Sequence, residues 1–194
     1  MPKVVPNIEK RILDVAKEAF EKNGFSNTDI RSIASDAGVS VGSVYAKFKS
    51  KGELFLKVAQ EWHQVMEQDI QNVFERITDD KERLCHLAEL LITALSKRGG
   101  LWREFFMDSE GKTQVAHLDR FIRAMEKDWK KLARELEASI VRASKMEKIR
   151  SLASKFPGRL SLVFRAIVFD LAFGFPNQTK KNIAFVKEFL GVFL

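Results

Sequence analysis

The 194-residue chain reads as an all-α protein, on three observations. Apolar residues recur at helical spacing through almost the whole sequence, and no alternating strand pattern appears. Four prolines and ten glycines are few breakers for this length, which favours long helices. The punctuation is that of helix ends: Asn, Ser, Thr or Asp before an apolar-periodic run, and Gly after it.

The elements follow in order. Ile8, Ile12, Val15, Ala16, Ala19 and Phe20 predict a first amphipathic helix, capped by Asn7 and ended by Gly24. A short helix with Ile30, Ile33, Ala34 and Ala37 inward should be capped by Asn27 or Thr28 and broken at Gly38. Ser40 caps the next, which carries Val44, Tyr45 and Phe48. After Ser50, a proline-free stretch from Lys51 to Ile77 predicts one helix of about 40 Å, at about 1.5 Å per residue. Thr78-Asp79-Asp80 is a turn and cap. A helix with Leu84, Leu87, Ala88, Leu91, Ile92 and Leu95 follows, and Gly99-Gly100 should end it. A short aromatic helix (Leu101–Met107), a loop (Asp108–Lys112) and a long helix from about Thr113 to Met146 come next. The stretch Arg142–Arg159 is basic and contains Pro157. Leu160–Phe173 is apolar on nearly every side and so must be covered all round. Thr179–Phe193 carries Ile183, Val186 and Leu190 on one stripe and Phe185, Phe189 and Phe193 on another, enough for a core and a partner at once.

Composition excludes some classes. Hydrophobic residues are 45% and charged residues 30%, a globular rather than disordered balance. A formal charge of +7 suits a polyanionic partner. The lone cysteine, Cys85, permits no intramolecular disulfide and reads as a small core residue, which fits the cytoplasm. The N-terminus lacks the apolar core of a signal peptide. The run Leu160–Phe175 is interrupted by Arg165 and Asp170 and is short of the roughly 20 residues a membrane span needs, so no membrane association is expected. No Gly-rich phosphate loop, nucleophile elbow or zinc signature appears, and His63, His86 and His117 lack ligand spacing. No catalytic residue, metal or cofactor is expected.

Function is carried by Thr28–Phe48. Two short helices that cross closely need a small residue at the crossing, here Ala34, and a turn tolerant of positive φ, here Gly38. Ile33, Ala37, Val39 and Val44 would lock the angle. The second helix is then free to lie in a DNA major groove, with Val41, Ser43, Ala46 and Lys47 outward.

The run from Ile33 to Leu54 (IASDAGVSVGSVYAKFKSKGEL) closely resembles the tetracycline-repressor (TetR) family. It has that family's Ala-Gly-Val turn, Gly-x-x-Tyr-x-x-Phe recognition helix and following Lys-x-x-Leu. Ile12-Leu13 through Gly24-Phe25, with Phe20, resembles the family's first helix. The resemblance covers about the first quarter of the chain; the rest agrees in helix count and order. Ala46 stands where the family often has a larger side chain, leaving fewer atoms to read bases.

The resemblance implies a helix-turn-helix domain over residues 1–50 and a ligand-sensing, dimerising domain over residues 51–194. It implies a homodimeric repressor on a pseudo-palindromic operator in double-stranded DNA, released by a small, largely apolar effector. The DNA-binding residues would be Thr28, Ser40, Val41, Gly42, Ser43, Tyr45, Lys47 and Lys51. Phosphate contacts from Thr28, Tyr45 and Lys51 would set register, while Val41, Ser43 and Lys47 read bases. Trp62, Met66, Phe74, Phe105, Phe121, Met125, Trp129, Phe164 and Asp170 would line an effector pocket among the helices at 51–77, 84–95, 113–146 and 160–173. Most of these side chains serve equally as plain core. Two other readings remain open: a helical-bundle lipid carrier or enzyme with weak DNA binding, and a DNA-binding module regulated by a protein partner.

Overall fold

The computed structural model describes residues 7–107 and 118–194, with side chains placed at 7–98 and 121–194. The expectations at Phe105, His117 and the loop Asp108–Lys112 lie outside the described side chains and segments. Among the described residues the structure is helical and holds no strand. Its helices are α1 (Ile8–Asn23), α2 (Ile30–Asp36), α3 (Val41–Lys47), α4 (Lys51–Arg76), α5 (Asp80–Met107), α6 (Leu118–Ala143), α7 (Glu147–Lys155), α8 (Arg159–Gly174) and α9 (Thr179–Phe193), with a 3-10 turn at Pro176–Gln178.

The chain divides into two compact units, Met1–His63 with Gly100–Phe121, and Gln64–Gly99 with Ile122–Leu194. Three helices, α4, α5 and α6, run unbroken from one unit into the other.

The first unit is built on α1–α3 and the start of α4. Asn7 caps α1, its Oδ1 accepting from Lys10 N at 3.3 Å, and Gly24 ends it at φ +83. Ser40 caps α3 by accepting from Ser43 N at 3.0 Å. A capping pair starts α4: Ser50 Oγ accepts from Glu53 N at 3.1 Å, and Glu53 Oε2 accepts from Lys49 N at 2.9 Å. The core is aromatic. Phe20, Phe25 and Phe55 are all but fully buried, with Phe55 at 5.2 Å from each of the other two rings, edge-on.

The second unit has an aliphatic core of Leu84, Leu87, Leu91, Ile92, Leu136, Val168 and Val186. Polar side chains tie the helix ends together. Arg83 Nε and Nη2 donate to the Ile77 carbonyl, at 3.0 and 2.6 Å, closing the C-terminal end of α4. The same guanidinium pairs with Asp80, which accepts a two-pronged bond of 2.8 Å per prong from Arg142 of α6. Glu137 of α6 caps α8, accepting from Gly158 N and Ser161 N, each at 2.8 Å. Asn182 of α9 donates to the Leu171 and Phe175 carbonyls at 2.9 and 3.0 Å and fixes the corner at the end of α8.

Two expectations are corrected, and one segment left open by the sequence is resolved. The cap of α2 is Asp29, whose Oδ1 accepts from Arg31 N at 2.9 Å, not Asn27 or Thr28. Gly99-Gly100 does not end α5, which continues to Met107. Two glycines cost roughly 1 kcal/mol each in a helix interior, a penalty that weakens a helix without breaking it as proline does. The basic stretch before Pro157 contains a helix, α7.

Cys85 packs partly buried against the second core, and burial pushes its thiol above the ordinary range. No single described helix is long and apolar enough to cross a membrane.

The hydrogen bonds from Arg142 hold the Asp80 carboxyl below its ordinary range, against the opposing effect of burial. A depressed folded-state pKa contributes stability above the unfolded value and loses it as pH falls through the folded one. Asp80→Asn should therefore cost about 2 kcal/mol at pH 7. Urea melts repeated in acid, below the folded-state pKa, should show the gap between variant and wild type closing.

Candidate nucleic-acid interface

The pair α2–α3 is held by its turn. Ile33, Ala34, Ala37 and Val44 are essentially inaccessible, so the two helices meet along small and branched residues. Gly38 takes φ +63, as the turn requires. The second helix keeps its other side open. Gly42, Tyr45, Ala46 and Lys47 are exposed, while Val41 and Ser43 are half-buried. Tyr45 is 49% exposed, so its ring is not a core aromatic.

The expected DNA-contacting residues separate into two groups. Gly42, Tyr45 and Lys47 are open on α3, and Ser40 is exposed at its start. The Ser40 and Ser43 hydroxyls lie 2.8 Å apart and share a hydrogen bond. Thr28 is different. It is buried, and its hydroxyl donates to the Gly24 carbonyl at 2.6 Å and reaches the Ala19 carbonyl at 3.3 Å. It ties the end of α1 to the following loop, so the expectation that it offers its hydroxyl to a phosphate does not fit this geometry.

Lys51 is also partly engaged. Its Nζ donates to the Ser26 and Thr28 carbonyls at 3.2 and 3.3 Å and sits 4.6 Å from the Phe25 ring centre. An ammonium has three donors, so one is left for another acceptor. Two exposed cations went unnoticed in the sequence: Arg31 in the first turn of α2 and Lys49 between α3 and α4. Their signal was present, since a cation beside each flank of a helix-turn-helix is positioned for a phosphate backbone.

The expected effector-lining residues are distributed over both units. Trp62 and Phe121 are buried in the first unit. Met66, Phe74 and Trp129 pack around the second core, to which Phe164 belongs. Met125 is half-buried and Asp170 is exposed. Within the second unit, a cleft of about 200 Å³ lies among α6–α9, lined by apolar residues including Ile140, Ile149, Val163, Ile167, Phe189 and Phe193. Of the expected residues, Phe164 alone borders it. Leu162, Val163 and Phe173 of α8, and Phe185, Val192 and Phe193 of α9, stand exposed.

Residues 12–58 match the family model described as bacterial regulatory proteins, tetR family. The HTH-type transcriptional regulator HbdR of Aromatoleum sp. (strain CIB) is 33% identical over 85 residues, 44% of this chain and 37% of that protein. Among the curated relatives the matches span 18% to 43% of the relative's own length. Solved structures match along nearly the whole chain. The regulator FadR from Bacillus subtilis, in complex with stearoyl-CoA, has a TM-score of 0.61 at 16% identity, covering 94% of this chain and 95% of that one. AibR, in complex with isovaleryl coenzyme A and operator DNA, has a TM-score of 0.62 at 16% identity, covering 93% and 96%. At these identities the likeness establishes the fold.

The reassigned roles of Thr28 and Asp29 separate in thermal melts. Asp29→Ala should cost about 1 kcal/mol through loss of the cap, and Asp29→Ser much less. Thr28→Val should cost about 1–3 kcal/mol, because it strips the buried donor from the Gly24 carbonyl. A neutral Thr28→Val would place its hydroxyl outside the fold's support.

Proposed function

We propose that this chain, which belongs to the TetR family of bacterial regulatory proteins, is a ligand-responsive, sequence-specific transcriptional repressor. It acts as a homodimer on operator DNA in the cytoplasm. Members of this family are regulators rather than enzymes.

The observation that carries the reading is the α2–turn–α3 pair, with a packed inner side and an open outer one. In the proposed complex α3 enters the major groove. Lys47 donates to a guanine edge, and Val41 and Ser43 meet neighbouring bases. Gly42 lets the backbone approach closely. Tyr45, Arg31, Lys49 and the remaining donor of Lys51 meet phosphates and set register. Ser40 serves chiefly as the cap that orients α3.

The exposed apolar faces of α8 and α9 are what a second copy would cover. Val163 and Phe193 border the α6–α9 cleft as well, so the cleft adjoins that face. A two-fold pairing of α8 and α9 would be isologous and would present two α3 helices to a pseudo-palindrome.

The effector is proposed as small and largely apolar. Regulation by a ligand is supported by the coenzyme A thioesters in the similar FadR and AibR structures, in which the acyl chain is the apolar part and the coenzyme A moiety is charged. It is also supported by α4, one continuous helix that starts beside α3 and ends in the second unit. An effector that favours a different placement of α4 must weaken DNA binding by its differential affinity for the two states. The functional division is kept at residues 1–50 and 51–194.

Selection of bound fragments should return a pseudo-palindrome with half-sites about 34–36 Å apart or a multiple of that. Lys47→Ala should cost about 1–3 kcal/mol at one base pair per half-site, whereas Lys49→Ala should weaken all sequences alike and lower the salt slope by roughly one. Equal, unselective losses for both would remove the base-reading role of Lys47. Sedimentation should give a dimer at micromolar concentration and a monomer for Phe185→Asp combined with Val192→Asp. Stearoyl-CoA or isovaleryl-CoA added to the DNA complex should release it; no response to either would move regulation to another effector or a protein partner.

A further inference from the structure

The end of α2 leaves one backbone carbonyl to a side chain of another helix. Gly38 N donates to the Ser35 carbonyl at 3.0 Å, and Val39 N to the Ala34 carbonyl at 2.9 Å. With Gly38 at φ +63, these two bonds form a Schellman closure. They satisfy Ala34 and Ser35, and Ala37 N satisfies Ile33 at 2.9 Å. The Ala37 carbonyl, at the negative end of the helix dipole, needs a donor from elsewhere. Arg11 of α1 supplies it, donating from Nη2 across 26 residues of sequence.

Gly38 and Arg11 share one space. A Cβ at residue 38 would lie 2.8 Å from Arg11 Nη2. The positive φ is what requires glycine here, and a side chain at this position would also push the flexible guanidinium off its place. The cation meets both the carbonyl dipole and the helix end, and this contact sits at the joint from which α3 departs.

We infer that Arg11 is a positioning residue for the recognition helix: it clamps the α2–α3 turn through the Ala37 carbonyl and thereby sets how α3 is presented to DNA. This rests on the DNA-binding reading above and adds to it a determinant of sequence selectivity that touches no base. Arg11 is itself exposed, as are Arg31, Lys47 and Lys49, and what sets its role apart is the guanidinium contact with the Ala37 carbonyl. A clamp acts on the difference between the right sequence and any other. A phosphate ligand acts on both equally.

The test uses the full-length protein with Arg11→Met and Arg11→Lys. For Arg11→Met, affinity for the selected operator should fall about tenfold, the loss of one charged hydrogen bond. Affinity for unrelated DNA, and the slope of log affinity against log salt, should stay as in wild type. Arg11→Lys, which keeps a cationic donor, should recover most of the selectivity. In the DNA-free protein, amide exchange at Gly38 and Val39 should speed up about tenfold in Arg11→Met, while Leu13 and Phe55 in the core of the unit keep their protection. A slope lowered by about one with equal loss on both DNAs would make Arg11 a phosphate contact and overturn the inference. Unchanged exchange at Gly38 and Val39 would also overturn it. If wild type shows no selective DNA binding, the functional reading falls, and the exchange measurement alone decides whether the clamp exists.

Discussion

Phe55, on the second turn of α4, is completely buried against Phe20 of α1 and Phe25 of the loop after it. Helices of seven residues such as α2 and α3 are too short to persist alone. They need a fixed surface to pack on: α2 packs against α1 and α3 against α2, and the three rings hold α1 to the start of α4. Edge-on aromatic contacts of this kind contribute about 0.5–1.5 kcal/mol each beyond the area they bury. Everything proposed for α3 depends on this cluster. The alignment of α1 with the first turns of α4 decides where Ile33, Ala37 and Val44 find their pockets.

The polar side chains near that cluster are spent largely on backbone. Thr28 closes the end of α1, Ser40 and Ser50 start α3 and α4, Asp29 starts α2, and Lys51 gathers two carbonyls of the loop. A small domain with short helices has many orphan amides and carbonyls for its size, and an unpaired one costs about as much as a lost hydrogen bond. Groups that look like ligands in the sequence are therefore partly consumed in holding the turns. What is left open is a narrower set on α3 and its flanks.

The second unit solves the same problem with charge. Asp80 receives Arg83 and Arg142, Arg83 covers the last carbonyl after α4, and Glu137 covers the first amides of α8. These pairs join helices distant in sequence at their ends, where an aliphatic core has least to offer. Among the described residues, Leu162, Val163 and Phe173 of α8 and Phe185, Val192 and Phe193 of α9 remain exposed.

The helices and most of their ends were legible in the sequence, because a 3.6-residue period and a cap are local properties of the chain. Asn7, Gly24, Gly38, Ser40 and Ser50 each act where their own chemistry places them. The helix-turn-helix was legible for the same reason: its constraints, a small residue at the crossing and positive φ at the turn, fall within twenty-one residues of sequence (28–48). Tertiary structure decided what the local rules leave open. Thr28 and Asp29 are both good caps, and only the burial of Thr28 against the end of α1 assigned the task to Asp29. Lys51 meets carbonyls 25 and 23 residues back, and Arg11 meets one 26 residues on. The large apolar residues of the second half share one pattern whether they fill a core, line a cleft or stand uncovered. Periodicity reports that a face is apolar, and only the packing of other helices against it determines what that face meets.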